Sequence, residues 1–151
     1  MALRFRARYG TIVLVILYGI FFPHPALAGS ILKASCPCGF KMESILAGGG
    51  FKNYKTTCNV PAYCAACKKM EILNWLGKDP QCKGCGGKIV FYNDPSLQKD
   101  KPDASRDMKD TKKVFSWNAY AKGIFILPDT SYLCPQCGDM TLRFKEVGYW
   151  D

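Results

Sequence analysis

Eight of the nine cysteines in this chain come in close pairs: Cys36 and Cys38, Cys64 and Cys67, Cys82 and Cys85, Cys134 and Cys137. Cys58 stands alone. Close pairs admit three kinds of chemistry. Two thiolates can supply half of a tetrahedral metal site. They can form a redox dithiol, or cysteines of an exported chain can become structural disulfides. Spacing separates the three. Cysteines with one or two residues between them rarely bond to each other structurally, because the small ring is strained. Disulfide frameworks also tend to scatter their cysteines and to hold an even number of them. A redox pair wants a helix N-terminus at its first cysteine, whereas "AACKKMEIL" after Cys64 reads into a strand. A C-x₂-C turn places two sulfurs on one side of an ion. A glycine just after it allows a left-handed bend that turns backbone amides toward the sulfurs. Gly39, Gly86 and Gly138 hold that position, and Lys68 takes it after Cys67. Eight thiolates make two closed four-cysteine sites, with two zinc ions expected and iron as the alternative metal.

What the chain lacks narrows the chemistry further. Its only histidine, His24, lies in an N-terminal stretch that reads as a secretory signal. Arg4, Arg6 and Arg8 form the basic region, and "TIVLVILYGIFF" is a 12-residue apolar run, short for a membrane span. "PHPALA" ends on the small residues that signal peptidase accepts, so cleavage is expected after Ala28. The chain is then periplasmic or extracellular with no stable membrane span. An uncleaved segment would instead anchor it to the membrane, with its body still exported. Without residues 1–28 no imidazole remains, which excludes Ser–His and Cys–His nucleophiles and histidine-containing zinc sites. Cleavage takes three arginines from 21 basic residues against 12 acidic ones, so the net charge falls from +9 to +6. Each zinc with four thiolates adds −2, which brings the whole to about +2. That balance, like export, argues against nucleic acid as a partner.

The elements that must position these sulfurs are short and mostly β. "FKMESIL" and "KKMEILNWL" alternate weakly, "KIVFY" is rich in branched and aromatic residues, and "MTLRFKEVGYW" reads as a closing strand. "VFSWNAYAKGIFIL" suggests two strands around Gly123. "GSILKAS" reads as a lead-in and "AGGG", Ala47 to Gly50, as a turn; no segment after residue 29 gives a strong helix signal. Residues 94–113 carry six Lys/Arg, five Asp and two Pro, the composition of a solvated linker. The expected domains are therefore a signal peptide at 1–28, a cysteine-rich region at 29–93, this linker, and C-terminal strands with the last pair at 114–151. A core this small gains much of its folding energy from structural metal, on the order of 10 kcal/mol per site.

"CPCG", "YCAAC", "CKGCGG" and "YLCPQCG" resemble the knuckles of the zinc-ribbon family, the turn that rubredoxin-like proteins use for iron. The resemblance covers the knuckles and their flanking strands. It implies a small metal-stabilised protein of two β-hairpin units, each metal held between two hairpin mouths. Cys64, Cys67, Cys82 and Cys85 match that pattern, with 14 residues between the pairs. Cys36 and Cys38 depart from it, having one residue between them. Two groupings remain open. In the nested one, favoured by the hairpin-sized gap, Cys36 and Cys38 join Cys134 and Cys137. In the sequential one, 36/38 joins 64/67 and 82/85 joins 134/137. Cys58 is expected as a buried free thiol, or else as a substitute ligand for Cys38. The expected function is an exported, non-enzymatic zinc-binding protein that binds an unknown protein partner. A thiol-based redox or metal-exchange protein and a disulfide-stapled module are the alternatives.

Overall fold

The computed structural model describes residues 28–100, 112–119 and 122–151. The signal-peptide reading falls almost wholly on residues 1–27, outside the described residues, as does the middle of the charged stretch, 101–111. Among the described residues no helix is long and apolar enough to cross a membrane.

The fold is mostly β and antiparallel. Strands β1 (Gly29–Ser35), β2 (Lys41–Ala47), β8 (Tyr132–Leu133) and β9 (Met140–Trp150) form one sheet in the order β2-β1-β9-β8. Strands β3 (Asn59–Cys64), β4 (Lys69–Asn74) and β5 (Ile89–Phe91) form a second, ordered β4-β3-β5. A hairpin of β6 (Lys113–Ala119) and β7 (Gly123–Pro128) completes the set. In β6, Phe115, Trp117 and Ala119 are buried while Ser116 and Asn118 are exposed, the period-2 pattern of a half-buried strand.

Three segments take their form from tertiary context. "GSILKAS" is a central strand: β1 pairs with β2 on one side and β9 on the other. Its apolar positions are too few to declare a strand locally, and its neighbours come from the far end of the chain. β3 carries Pro61 in mid-strand. Its carbonyl accepts from the Tyr92 N–H at 3.2 Å, just past the last paired residue of β5, Phe91. The missing proline N–H thus falls where the ladder ends. The turn at "AGGG" runs into a one-turn helix, α1 (Gly50–Asn53), and Gly48, Gly49 and Gly50 are all buried.

The main core joins all three sheets. Tyr92, Tyr132 and Phe144 meet edge to face, with centroids 5.0–6.0 Å apart. The Tyr92 hydroxyl also donates to the Leu133 carbonyl at 3.1 Å. Tyr92 follows β5 and Tyr132 opens β8, so this cluster locks the second sheet to the first. The β6–β7 hairpin closes the other side, where Phe125 packs edge-on against Trp75 at 5.4 Å. Lys122, before β7, donates to the Trp75 carbonyl and lies over its ring. The described ends of the charged stretch belong to this body. Asp94 caps a short 3₁₀ turn at Pro95–Leu97, Leu97 is buried, and Gln98 bridges to Tyr132.

Candidate metal centres

Each cysteine pair sits in a tight turn that closes two short antiparallel segments. Cys64 ends β3 and Cys67 lies before β4, in one hairpin turn. Cys82 and Cys85 lie inside a bridge between Gln81 and Lys88. Cys36 and Cys38 occupy the β1–β2 turn, and Cys134 and Cys137 the β8–β9 turn. Backbone bonds repeat across these knuckles. The Gly86 N–H donates to the Cys82 carbonyl at 2.8 Å, and the Gly138 N–H to the Cys134 carbonyl at 2.9 Å. In the C-x-C turn the same bond is one residue shorter, from Gly39 N–H to the Cys36 carbonyl at 3.0 Å. The departure from C-x₂-C therefore tightens the turn and keeps its plan.

Left-handed backbone follows each pair, as the glycines imply. Gly39, Gly86 and Gly138 have φ of 97°, 68° and 79°. Lys68, in the equivalent place after Cys67, also takes a positive φ of 50° despite its side chain. Amides point at sulfur as a result: the Cys67 N–H donates to Cys64 Sγ at 3.5 Å, and the Gly87 N–H to Cys85 Sγ at 3.4 Å.

Strand pairing then brings the turns together two by two. β3 pairs with β5, which sets Cys64, Cys67, Cys82 and Cys85 in one group; β1 pairs with β9, which sets Cys36, Cys38, Cys134 and Cys137 in another. This is the nested grouping, an inner and an outer centre. Within each group all four sulfurs lie within 4.8 Å of one another. The closest contacts are Cys64–Cys85 and Cys67–Cys82, both 3.7 Å, and Cys36–Cys137 and Cys38–Cys134, at 3.8 and 3.6 Å. A tetrahedron with metal–sulfur bonds of about 2.3 Å has edges of about 3.8 Å. A disulfide would need about 2.05 Å. Both groups thus have the donor type, number and spacing to hold a metal ion.

The electrostatics show what such an ion would have to do. Four sulfurs this close cannot all carry negative charge without a cation. In the outer group, burial works upward on the Cys36 thiol. The Thr141 hydroxyl, the Cys38 amide and the thiols of Cys38 and Cys134 outweigh it, bringing Cys36 down to about 6. Burial pushes Cys134 up to about 12. In the inner group, the thiols of Cys85 and Cys82, then burial, push Cys67 up to about 12. A divalent cation would hold every sulfur as thiolate.

Glu71 is a neighbour of the inner centre to which the cysteine spacing does not point. It sits on β4, and its carboxylate accepts from Cys82 Sγ at 3.2 Å and from the Lys83 N–H at 3.0 Å. Nothing in "KMEILN" marks it, since its approach to Cys82 depends on how β4 and the 82–85 turn pack. Thr141 holds the comparable place in the outer centre, with its hydroxyl 3.2 Å from Cys36 Sγ.

Cys58 belongs to neither group. It is fully buried just before β3, where its N–H donates to Asn74 Oδ1 and its carbonyl accepts from Trp75 N–H. Burial pushes its thiol up to about 12, against the pull of Lys122. An unfolded chain ionises this thiol near 9.0. The folded-state value is raised, so its stabilising contribution is whole below that pH and is lost as pH climbs toward 12. Cys58→Ala should remove this part of the alkaline loss, seen as a smaller fall in the urea midpoint between about pH 9 and 11. In the native protein Cys58 should resist iodoacetamide and react once the chain is denatured. Native labelling at the rate of an exposed cysteine would contradict its burial.

No family model, no curated protein and no solved structure matches this chain.

Proposed function

We propose that this is an exported, non-enzymatic zinc protein whose two four-cysteine centres hold the fold together and whose surface binds a protein partner. The observation that carries the metal part is that all four sulfurs of each group lie within 4.8 Å of one another, with two edges of 3.7 Å in the inner group and edges of 3.6 and 3.8 Å in the outer, against about 3.8 Å for tetrahedral zinc–thiolate geometry. The paired knuckles, with left-handed backbone after each, support a zinc-ribbon type of site. Zinc is favoured over iron as a structural ion because it has no redox chemistry. The N-terminal leader supports export. Bound metal would then protect eight thiols in a compartment where free thiols are oxidised.

For the partner, the best-supported surface is the outer edge of β5. A groove of about 470 Å³ runs there, lined among others by Trp75, Val90, Phe91 and Asp94. An edge strand beside an open groove is suited to an extended peptide segment.

Metal and thiols can be counted together. The chain purified without chelator should contain two zinc ions per molecule and nine titratable thiols under denaturing conditions. Absence of metal with a single titratable thiol would sink the proposal in favour of disulfides. Two irons in place of zinc would overturn the zinc assignment and leave the two four-cysteine centres standing.

A further inference from the structure

The two centres differ in what stands beside their buried sulfurs. At the outer centre it is a hydroxyl, Thr141 Oγ1, 3.2 Å from Cys36 Sγ and 3.9 Å from Cys137 Sγ. At the inner centre it is a carboxylate, Glu71 Oε1, 3.2 Å from Cys82 Sγ. Its other oxygen, Oε2, is held by the Lys83 N–H at 3.0 Å. That bond fixes the carboxylate in place against the sulfur.

The difference has opposite consequences once an ion binds. A hydroxyl can donate to a thiolate, which stabilises the ionised sulfur against protonation and so helps it stay on the metal. A carboxylate has no proton to give. When Cys82 becomes a metal-bound thiolate, two anionic groups face each other at hydrogen-bond distance in a half-buried site, where screening is weak. Carboxylate oxygen is also a zinc ligand in its own right.

We propose that Glu71 makes the inner centre the exchangeable one, while the outer centre holds its metal firmly. The inference rests on the two-zinc reading and goes beyond it. Glu71 weakens Cys82 as a ligand and is positioned to take its place. With an ion bound, Glu71 Oε1 is the oxygen that would replace Cys82 Sγ as its fourth ligand, one metal–ligand bond exchanged for another. The freed thiolate takes a proton from water, and no electrons are transferred. The three remaining cysteines and the carboxylate then release the ion to a competing ligand more readily than four thiolates would. Release from the inner centre would loosen only that centre's own small apolar cluster, Ala62, Cys64, Leu73, Cys82 and Ile89. The main core, with Cys36 and Cys134, remains whole.

The test is zinc transfer to an excess of the chromogenic chelator pyridylazoresorcinol, followed by stopped flow. Elemental analysis first confirms two zincs per chain; a chain that retains none fails the metal reading itself, before release is measured. The wild type should release zinc in two phases of equal amplitude. Glu71→Gln keeps the side chain's shape and an acceptor for Lys83 but removes the charge. It should slow the fast phase about tenfold and leave the slow phase alone, within the range usual for groups supporting a ligand. Thr141→Val should quicken the slow phase. If Glu71 only pinned the 82–85 turn, Glu71→Ala would quicken release and Glu71→Gln would leave it unchanged. That pattern, a single phase in the wild type, or an unchanged fast phase in Glu71→Gln overturns the proposal. Circular dichroism of each variant confirms that the fold is kept.

Discussion

Replacing Cys134 with serine is expected to abolish cooperative folding of the whole chain. Cys134 is fully buried and belongs to the main core. Its sulfur is 3.6 Å from Cys38 Sγ, across the interface of the β1–β2 and β8–β9 turns. Serine presents a poorer zinc ligand and leaves a buried hydroxyl among thiolates. A structural zinc contributes on the order of 10 kcal/mol, and a domain of this size is stable by only about 5–15 kcal/mol. Losing most of one such contribution removes the margin. The variant should contain one zinc or none and should lack a sigmoidal urea transition by circular dichroism. Two retained zincs with a wild-type midpoint would show that the outer centre does not carry the fold.

Gly48→Ala, far from the sulfurs, is expected to cost roughly 3 kcal/mol. Gly48 has a φ of +92°, a left-handed conformation that costs an L-residue about 1–2 kcal/mol. A Cβ there would also sit 2.6 Å from Cζ3 of Trp117. Trp117 is buried and stacks near Phe115 at 6.5 Å, so the indole cannot yield without disturbing the β6–β7 hairpin. Overpacking of this kind adds about 1–3 kcal/mol. The melting temperature should fall by roughly 10 °C, with zinc content unchanged. A fall of less than about 1 kcal/mol would mean that the hairpin shifts freely over β2.

The cysteines were the most legible part of the chain because a knuckle is local. Four or five residues settle it, and the glycines after Cys38, Cys85 and Cys137 mark its left-handed exit. Lys68 shows that the same bend forms without glycine. Strands with alternation were legible for the same reason: β9 opens on Met140, Leu142 and Phe144, and β7 begins at Gly123. What could not be read locally was decided across distance. β1 is a strand because β9, more than a hundred residues on, pairs with it from Gly29↔Trp150 to Ser35↔Arg143. β3 carries Pro61, a residue strands tolerate only where a ladder bond is not needed, and its unpaired side lies where β5 stops. The spacing of the cysteines favoured the nested grouping but left the sequential one open; the β1–β9 and β3–β5 pairings produce the nested one. Glu71 was hidden because its role depends on the packing of a strand against a turn, not on either sequence.

The nesting of the two centres also imposes a timetable. Cys67 and Cys82 are 15 residues apart, whereas Cys36 and Cys137 are separated by 101. As the chain emerges from the ribosome or an export channel, the inner centre has all its ligands once residue 85 is out. The outer centre must wait for residue 137, with Cys36 and Cys38 exposed throughout. Closing its longer loop also costs about 1.5 kcal/mol more entropy, since the cost grows only with the logarithm of loop length. An ion bound at the outer centre would therefore act as a clasp, fastening the first hairpin to the last, and until it bound the earliest pair of thiols would be the most exposed to oxidation.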